Sequence, residues 1–251
     1  MTRLVLFGGT TEQHALIDAL APLPLAVTLS VVSDYGRALL PPDRLGLCVR
    51  VGRLDENAMT ALLDGALCTV DATHPYAVEA SRNIRAAAKR VGIPYLRLLR
   101  PQSELDGCVC VPNIQSAVDA LNARTGAVLV TTGSKELAAF SAVLDYRNRL
   151  YARVLPTVEA ITQCTEMGLA PSHIIAMQGP FSRALNVALL REHTIQTLVT
   201  KDGGAPGGFA EKRDAAAELG VEVLVVRRPI ENGDPLDHIL AQIKRLLEAT
   251  V

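Results

Sequence analysis

The run RLVLFGGTTEQHALIDAL, residues 3–20, decides how the rest of the chain is read. Leu4 to Phe7 are four consecutive apolar residues, short enough for a strand buried on both faces. Gly8 and Gly9 break that run. Thr10, Thr11 and Glu12 then open a segment in which Ala15, Leu16, Ala19 and Leu20 share one helical face. A buried strand, a glycine turn and a helix N-terminus can cradle an anion, because glycine admits close backbone approach and the free N–H groups of the first turn point at a phosphate. The turn departs from G-x-G-x-x-G, having two adjacent glycines followed by threonines. It fits either a phosphate cradle or a plain tight connection, and the remaining chain has to decide.

The alternation of elements continues. Leu25–Val32, Gly46–Val51, Leu67–Val70 and Ile93–Leu98 read as strands, Asp55 as the cap of a helix reaching Leu63, and Val78–Val91 as a long helix closed by Gly92. Pro75 pushes His74 towards extended geometry and can serve as the first residue of that long helix. The pattern then starts again. Strands are expected at Gly107–Val111, Ala127–Val130, Leu150–Leu155, Ile174–Met177, Thr197–Thr200 and Val221–Val226, and helices at Ile114–Leu121, Val158–Glu166, Ala184–Glu192, Glu211–Leu219 and Leu236–Leu247. TTGSKE, after the strand at Ala127, repeats the first turn in outline and predicts another helix opening with Glu136. The expected fold is α/β: two Rossmann-like, doubly wound parallel sheets facing a cleft, residues 1–104 binding cofactor and residues 105–251 binding substrate.

Composition narrows the function classes. The 251 residues are 49% hydrophobic and carry a net charge of −1 without a Lys/Arg block, so a packed core is expected and a nucleic-acid footprint is not. The most apolar stretch, Leu20 to Val32, is interrupted by Pro22 and Pro24 and is too short to span a bilayer. MTRLVLF runs straight into the first strand with no signal-peptide layout, so a cytoplasmic location is expected. Five cysteines without C-x-x-C read as small buried thiols, and five scattered histidines give no metal-ligand spacing.

Nearly every unusual polar cluster falls where a strand ends: GGTTE, SDYGR, DATHPYA, TTGSKE, MQGPFS and TKDGGAPGG. Ligands of open α/β sheets bind beyond those carboxyl ends. Ser33 to Arg37 follows the second strand, where Asp34 could take a ribose 2′-hydroxyl and Arg37 a 2′-phosphate. Asp71 and His74, three residues apart, could form an acid–base unit or serve only as a cap and a backbone-bonded ring. Lys201 and Asp202, with Lys135, Arg153, Arg183, Lys212 and Arg213, make the second half's edge rich in cations. No G-x-S-x-G elbow is present, which disfavours a triad hydrolase.

Taken in order, GGTTE, SDYGR, VDATHPYA, TTGSKE, MQGPFS and VTKDGG resemble the precorrin-6A reductases, including the cobalt-precorrin-6A reductases, from Leu4 to about Pro229. The resemblance implies an oxidoreductase of cobalamin biosynthesis. It would transfer hydride from NADPH or NADH to one double bond of a corrin precursor, a tetrapyrrole polycarboxylate, with handover to neighbouring corrin-pathway enzymes. It also implies strand exchange between the two halves. Gly8, Gly9, Thr10 and Thr11 would hold the pyrophosphate, and Ser33, Gly36 and Arg37 the adenosine end, with Glu12 and Thr73 also binding the cofactor. His74, Lys201 and Asp71 would be catalytic. Thr132, Gly133, Lys135, Arg153, Gln178, Gly179, Asp202, Gly203 and Lys212 would bind the tetrapyrrole. Two other readings are a different tetrapyrrole enzyme on the same architecture and a non-enzymatic NAD(P)-binding sensor.

Overall fold

The structure is a computed structural model and describes residues 2–8, 12–32, 37, 46–101, 103–204, 207–230 and 232–249. The chain divides into two compact units, one of residues 1–101 with 229–251 and one of residues 102–228.

The first unit holds a parallel five-stranded sheet of order β3-β2-β1-β4-β5, made of β1 (Thr2–Phe7), β2 (Leu25–Val31), β3 (Leu47–Val51), β4 (Cys68–Asp71) and β5 (Tyr95–Arg97). Strand β1 is buried on both faces because successive side chains alternate. Leu4 and Leu6 pack with Leu16, Ile17 and Leu20 of helix α1 (Glu12–Leu20), while Val5 and Phe7 pack with Leu62 and Leu63 of α2 (Glu56–Leu63) and Ile84 of α3 (Val78–Val91). Asp55 caps α2 as expected, accepting from the Ala58 N–H at 2.8 Å.

The second unit holds a parallel six-stranded sheet of order β6-β11-β10-β7-β8-β9, from β6 (Val109–Val111), β7 (Ala127–Val130), β8 (Leu150–Val154), β9 (Ile174–Ala176), β10 (Ile195–Lys201) and β11 (Glu222–Val226). One face is covered by α4 (Ile114–Asn122), the segment Ser134–Ala142 and α6 (Val158–Glu166), with the short α5 (Tyr146–Arg149) alongside. The other is covered by α7 (Arg183–Glu192) and α8 (Phe209–Leu219). Ser182 caps α7, its Oγ accepting from the Leu185 N–H at 3.2 Å.

Four expectations are corrected. The residues after TTG form a 3-10 helix, Ser134–Ala142, rather than an α-helix. Leu137, Phe140 and Val143 are all buried, and their three-residue spacing suits the threefold period of that helix. Pro75 is not the first residue of α3: the Ala77 N–H bonds the His74 carbonyl at 2.8 Å, so Pro75 is the second residue of a turn and α3 begins at Val78. Cys48 is exposed because β3 is an edge strand, whereas Cys68 and Cys164 are buried. Burial pushes the Cys68 thiol up to about 12.

The fourth correction concerns the single domain boundary. The last helix, α9 (Leu236–Glu248), belongs to the first unit, where Ile239 and Ile243 are fully buried among Leu16, Ile17 and Leu20. Both faces of the second sheet are already covered by their own helices, while on the first sheet α9 packs beside α1. The returning segment runs beside β5, with a parallel bridge between Leu98 and Asp234 and bonds from the Leu99 N–H to the Asp234 carbonyl and from the Asp234 N–H to the Arg97 carbonyl, both at 2.9 Å. Gly233 permits that approach, since a Cβ there would stand 2.5 Å from the Arg97 carbonyl oxygen. Within the first unit, the part of the chain beyond residue 228 contributes this bridge and a helix.

Candidate active site

Each sheet has one point where strand order reverses, β1/β4 in the first unit and β7/β10 in the second. The crevice beyond such a point is where open α/β sheets hold ligands. Gly8 ends β1 and donates its N–H to the Ser30 carbonyl at 3.0 Å. A Cβ on Gly8 would lie 1.9 Å from Gln13 Oε1 and 3.0 Å from Leu29 Cδ1, so the missing side chain is what lets the buried Gln13 of α1 pack against the strand end. Close helix–strand packing at a βα turn is a requirement of nucleotide-binding turns, and this one meets it. Gly9, Thr10, Thr11, Ser33 and Gly36 lie outside the described residues. Glu12 opens α1, its side chain outside the described set, and Arg37 is exposed.

At the end of β4 the structure departs from an acid–base pair. Asp71 is fully buried and both its carboxylate oxygens are engaged. Oδ1 accepts from Arg97 at 2.7 Å and from the Thr73 N–H and hydroxyl at 3.0 and 2.7 Å; Oδ2 accepts from the Tyr95 hydroxyl at 2.7 Å. Parallel pairing opposes Thr69 to Tyr95 and Asp71 to Arg97, and two residues along a strand put Tyr95 and Arg97 on one face. Burial, and then the Asp71 charge, pushes the Tyr95 phenol well above its ordinary range. Asp71 thereby fixes Thr73 and the start of the His74 turn. His74 Nδ1 accepts from the Tyr76 N–H at 3.3 Å, which places the ring proton on Nε2. Tyr95 and Arg97 were not anticipated. The signal for them is an arginine inside the apolar strand YLRLL.

At the second reversal point, the Thr131 N–H bonds the Val199 carbonyl at 2.8 Å and Thr132 is buried, its hydroxyl making no hydrogen bond among the described residues. Gly133 follows with φ of +88°, which turns the chain sharply into the 3-10 helix. Lys201 Nζ lies 2.5 Å from Glu136 Oε2, joining the ends of β10 and that helix. Lys135 and Gln178 are exposed, and Gly179 is half-buried. Asp202 is engaged structurally: Ser103 donates to its Oδ1 at 2.6 Å and Arg228 to its Oδ2 at 2.8 Å, beside the buried Gly203.

Arg153 and Lys212 are two buried cations held by neutral groups. Arg153 donates to Asn186 Oδ1 at 2.8 Å and stacks over the Phe181 ring at 4.3 Å. Lys212 donates to the Thr200 hydroxyl at 3.0 Å. Burial brings Arg153 down to about 10, and burial followed by the Arg153 charge brings Lys212 down to about 7. Such a pair offers electrostatic compensation to an incoming anion.

Comparison with known proteins places these features. The family profile described as "Precorrin-6x reductase CbiJ/CobK" matches residues 3–249. The chain belongs to the precorrin-6x reductase family. Relatives include the cobalt-precorrin-6A reductases of Priestia megaterium, 35% identical over 92% of each chain, and of Salmonella typhimurium, 36% identical over 93% of this chain and 90% of the relative. The solved structure of the precorrin-6A reductase CobK superposes with a TM-score of 0.75 at 27% identity over 98% of each chain. Members of the family are oxidoreductases acting on a CH–CH group, and they reduce precorrin-6A in cobalamin biosynthesis. Membership favours the reductase over the sensor and over a different tetrapyrrole enzyme. No helix is long and apolar enough, among the described residues, to cross a membrane.

Proposed function

We propose that this chain reduces precorrin-6A, metal-free or cobalt-containing, to the corresponding precorrin-6B with a reduced nicotinamide as hydride source. The supporting observation is family similarity from residue 3 to residue 249. A bound nicotinamide supplies the hydride. The β1/β4 reversal and the Gly8–Gln13 packing suit it. Gly8, Gly9, Thr10 and Thr11 hold the pyrophosphate, Ser33, Gly36 and Arg37 the adenosine end, and Thr73 the reacting end, with Glu12 also in the cofactor site. Arg37 favours NADPH over NADH through a 2′-phosphate.

Saturating one carbon–carbon double bond consumes one hydride and one proton. Lys201, held beside Glu136 at the end of β10, is the proton donor in this reading. His74, with its proton on Nε2, serves as a neutral hydrogen-bond donor beside the reacting atoms. Thr132, Gly133, Lys135, Arg153, Gln178, Gly179, Gly203 and Lys212 receive the carboxylate-rich macrocycle in the second unit, with Asp202 fixing their loop. Handover of product to the next corrin-pathway enzyme completes the reading.

The test is purified protein with precorrin-6A in both metal states, following reduced-nicotinamide absorbance with NADPH and with NADH. Oxidation in step with loss of the substrate's visible bands, faster with NADPH, is expected. No oxidation with either reductant on either substrate overturns the assignment. Lys201→Met should abolish turnover while retaining cofactor binding, and a His74→Ala variant with full turnover would remove His74 from the site.

A further inference from the structure

The first unit carries a pocket of about 280 Å³ that none of the roles above uses. It lies between the N-terminal half of α3, β5 and Pro229, Ile230 and Asn232 of the returning segment. The four-residue helical spacing puts Ser81, Arg82 and Arg85 on its wall. The Arg85 guanidinium sits over the Tyr95 ring at 4.9 Å, which aims it across the pocket. No carboxylate lines the pocket, and neither Arg82 nor Arg85 makes an ion pair among the described residues. Arg97, also on the wall, is balanced by Asp71. Among the described lining residues, the charge that no carboxylate balances is that of Arg82 and Arg85.

Its rim is apolar and wet. Val78 is 57% exposed and Ile230 fully exposed, beside Pro75 and Pro229. Exposed aliphatic side chains next to two arginines without carboxylate partners match a ligand that is itself apolar and anionic.

We infer that this pocket receives a carboxylate-bearing edge of the tetrapyrrole, Arg82 and Arg85 forking the carboxylate while Val78 and Ile230 cover the adjoining hydrocarbon. The inference rests on the reductase reading and adds a contact to the substrate's carboxylates in the unit expected to bind cofactor. A phosphate of the cofactor has the same anionic chemistry. Sheet order separates the two sources: β2, whose end leads to the adenosine-binding residues, and β5, which lines the pocket, lie on opposite sides of the β1/β4 junction.

The test uses the full chain with the double variant Arg82→Gln/Arg85→Gln. Both side chains are exposed, so the thermal midpoint should stay unchanged and serve as the folding control. The KM for precorrin-6A should rise on the order of tenfold or more, as for loss of charged hydrogen bonds, with kcat unchanged. The dissociation constant of the macrocycle, from quenching of its own emission without cofactor, should rise in parallel. Unchanged KM and macrocycle affinity overturn the inference. A weakened NADPH affinity with NADH unaffected also overturns it, by making the pocket a phosphate site. Absence of turnover in the unmodified protein overturns the reductase reading itself and is recognisable as such.

Discussion

Arg97 donates to Asp71 Oδ1 at 2.7 Å with both side chains almost wholly withdrawn from water, at 3% and 0% exposure. A buried pair is costly to break from one side, because the surviving charge is left without compensation. Asp71→Ala should therefore destabilise the first unit by about 3–5 kcal/mol, read from equilibrium urea unfolding. The double variant Asp71→Leu/Arg97→Met should recover much of that loss. A single variant that loses activity while keeping its stability would return Asp71 to the catalytic set.

Lys212 gives a pH signature. Its amine is lowered to about 7 in the folded protein and rises to its ordinary 10.5 on unfolding. Between those values the unfolded chain binds more protons, so stability rises with pH from about 7 to 10.5 and is lower by a constant amount below pH 7. Chemical denaturation across that window should show the rise. Lys212→Met should abolish it and be the more stable protein at neutral pH. Equal pH slopes in the two proteins would contradict the buried-amine assignment.

Gly8→Ala drives a Cβ into Gln13 Oε1. Gln13 is fully buried, so relief requires the α1 start to shift, with an expected cost of about 1–3 kcal/mol and weaker nicotinamide binding. Adding Gln13→Ala should return part of the stability, giving a clearly non-additive cycle. Additive losses would mean that the two residues do not press on one another.

Ile243 on α9 is fully buried against the first unit. Ile243→Ala should cost about 2–5 kcal/mol, and hydrogen exchange should show the loss in α1 and β1 rather than in β7 and β10. Faster exchange confined to the second unit would contradict the placement of α9.

The sequence alone determined what depends on near neighbours. Apolar runs at Leu4–Phe7 and Ala127–Val130 are doubly buried strands because nothing else hides four consecutive aliphatic residues. Asp55 and Ser182 announced their helices because a cap satisfies an N–H only two or three residues away. The strand-end position of the polar clusters, and the motifs that carry the family resemblance, were likewise readable in order along the chain. Tertiary structure alone decided two partners of Asp71, Tyr95 and Arg97, which sit 24 and 26 residues further on and meet it only through the register of β4 against β5. It also decided that Arg153 and Lys212 bond the neutral Asn186 and Thr200, and the home of α9. An amphipathic helix specifies that it must bury a face but not which sheet still has one uncovered, and a charged side chain specifies no partner until strand register sets its neighbours.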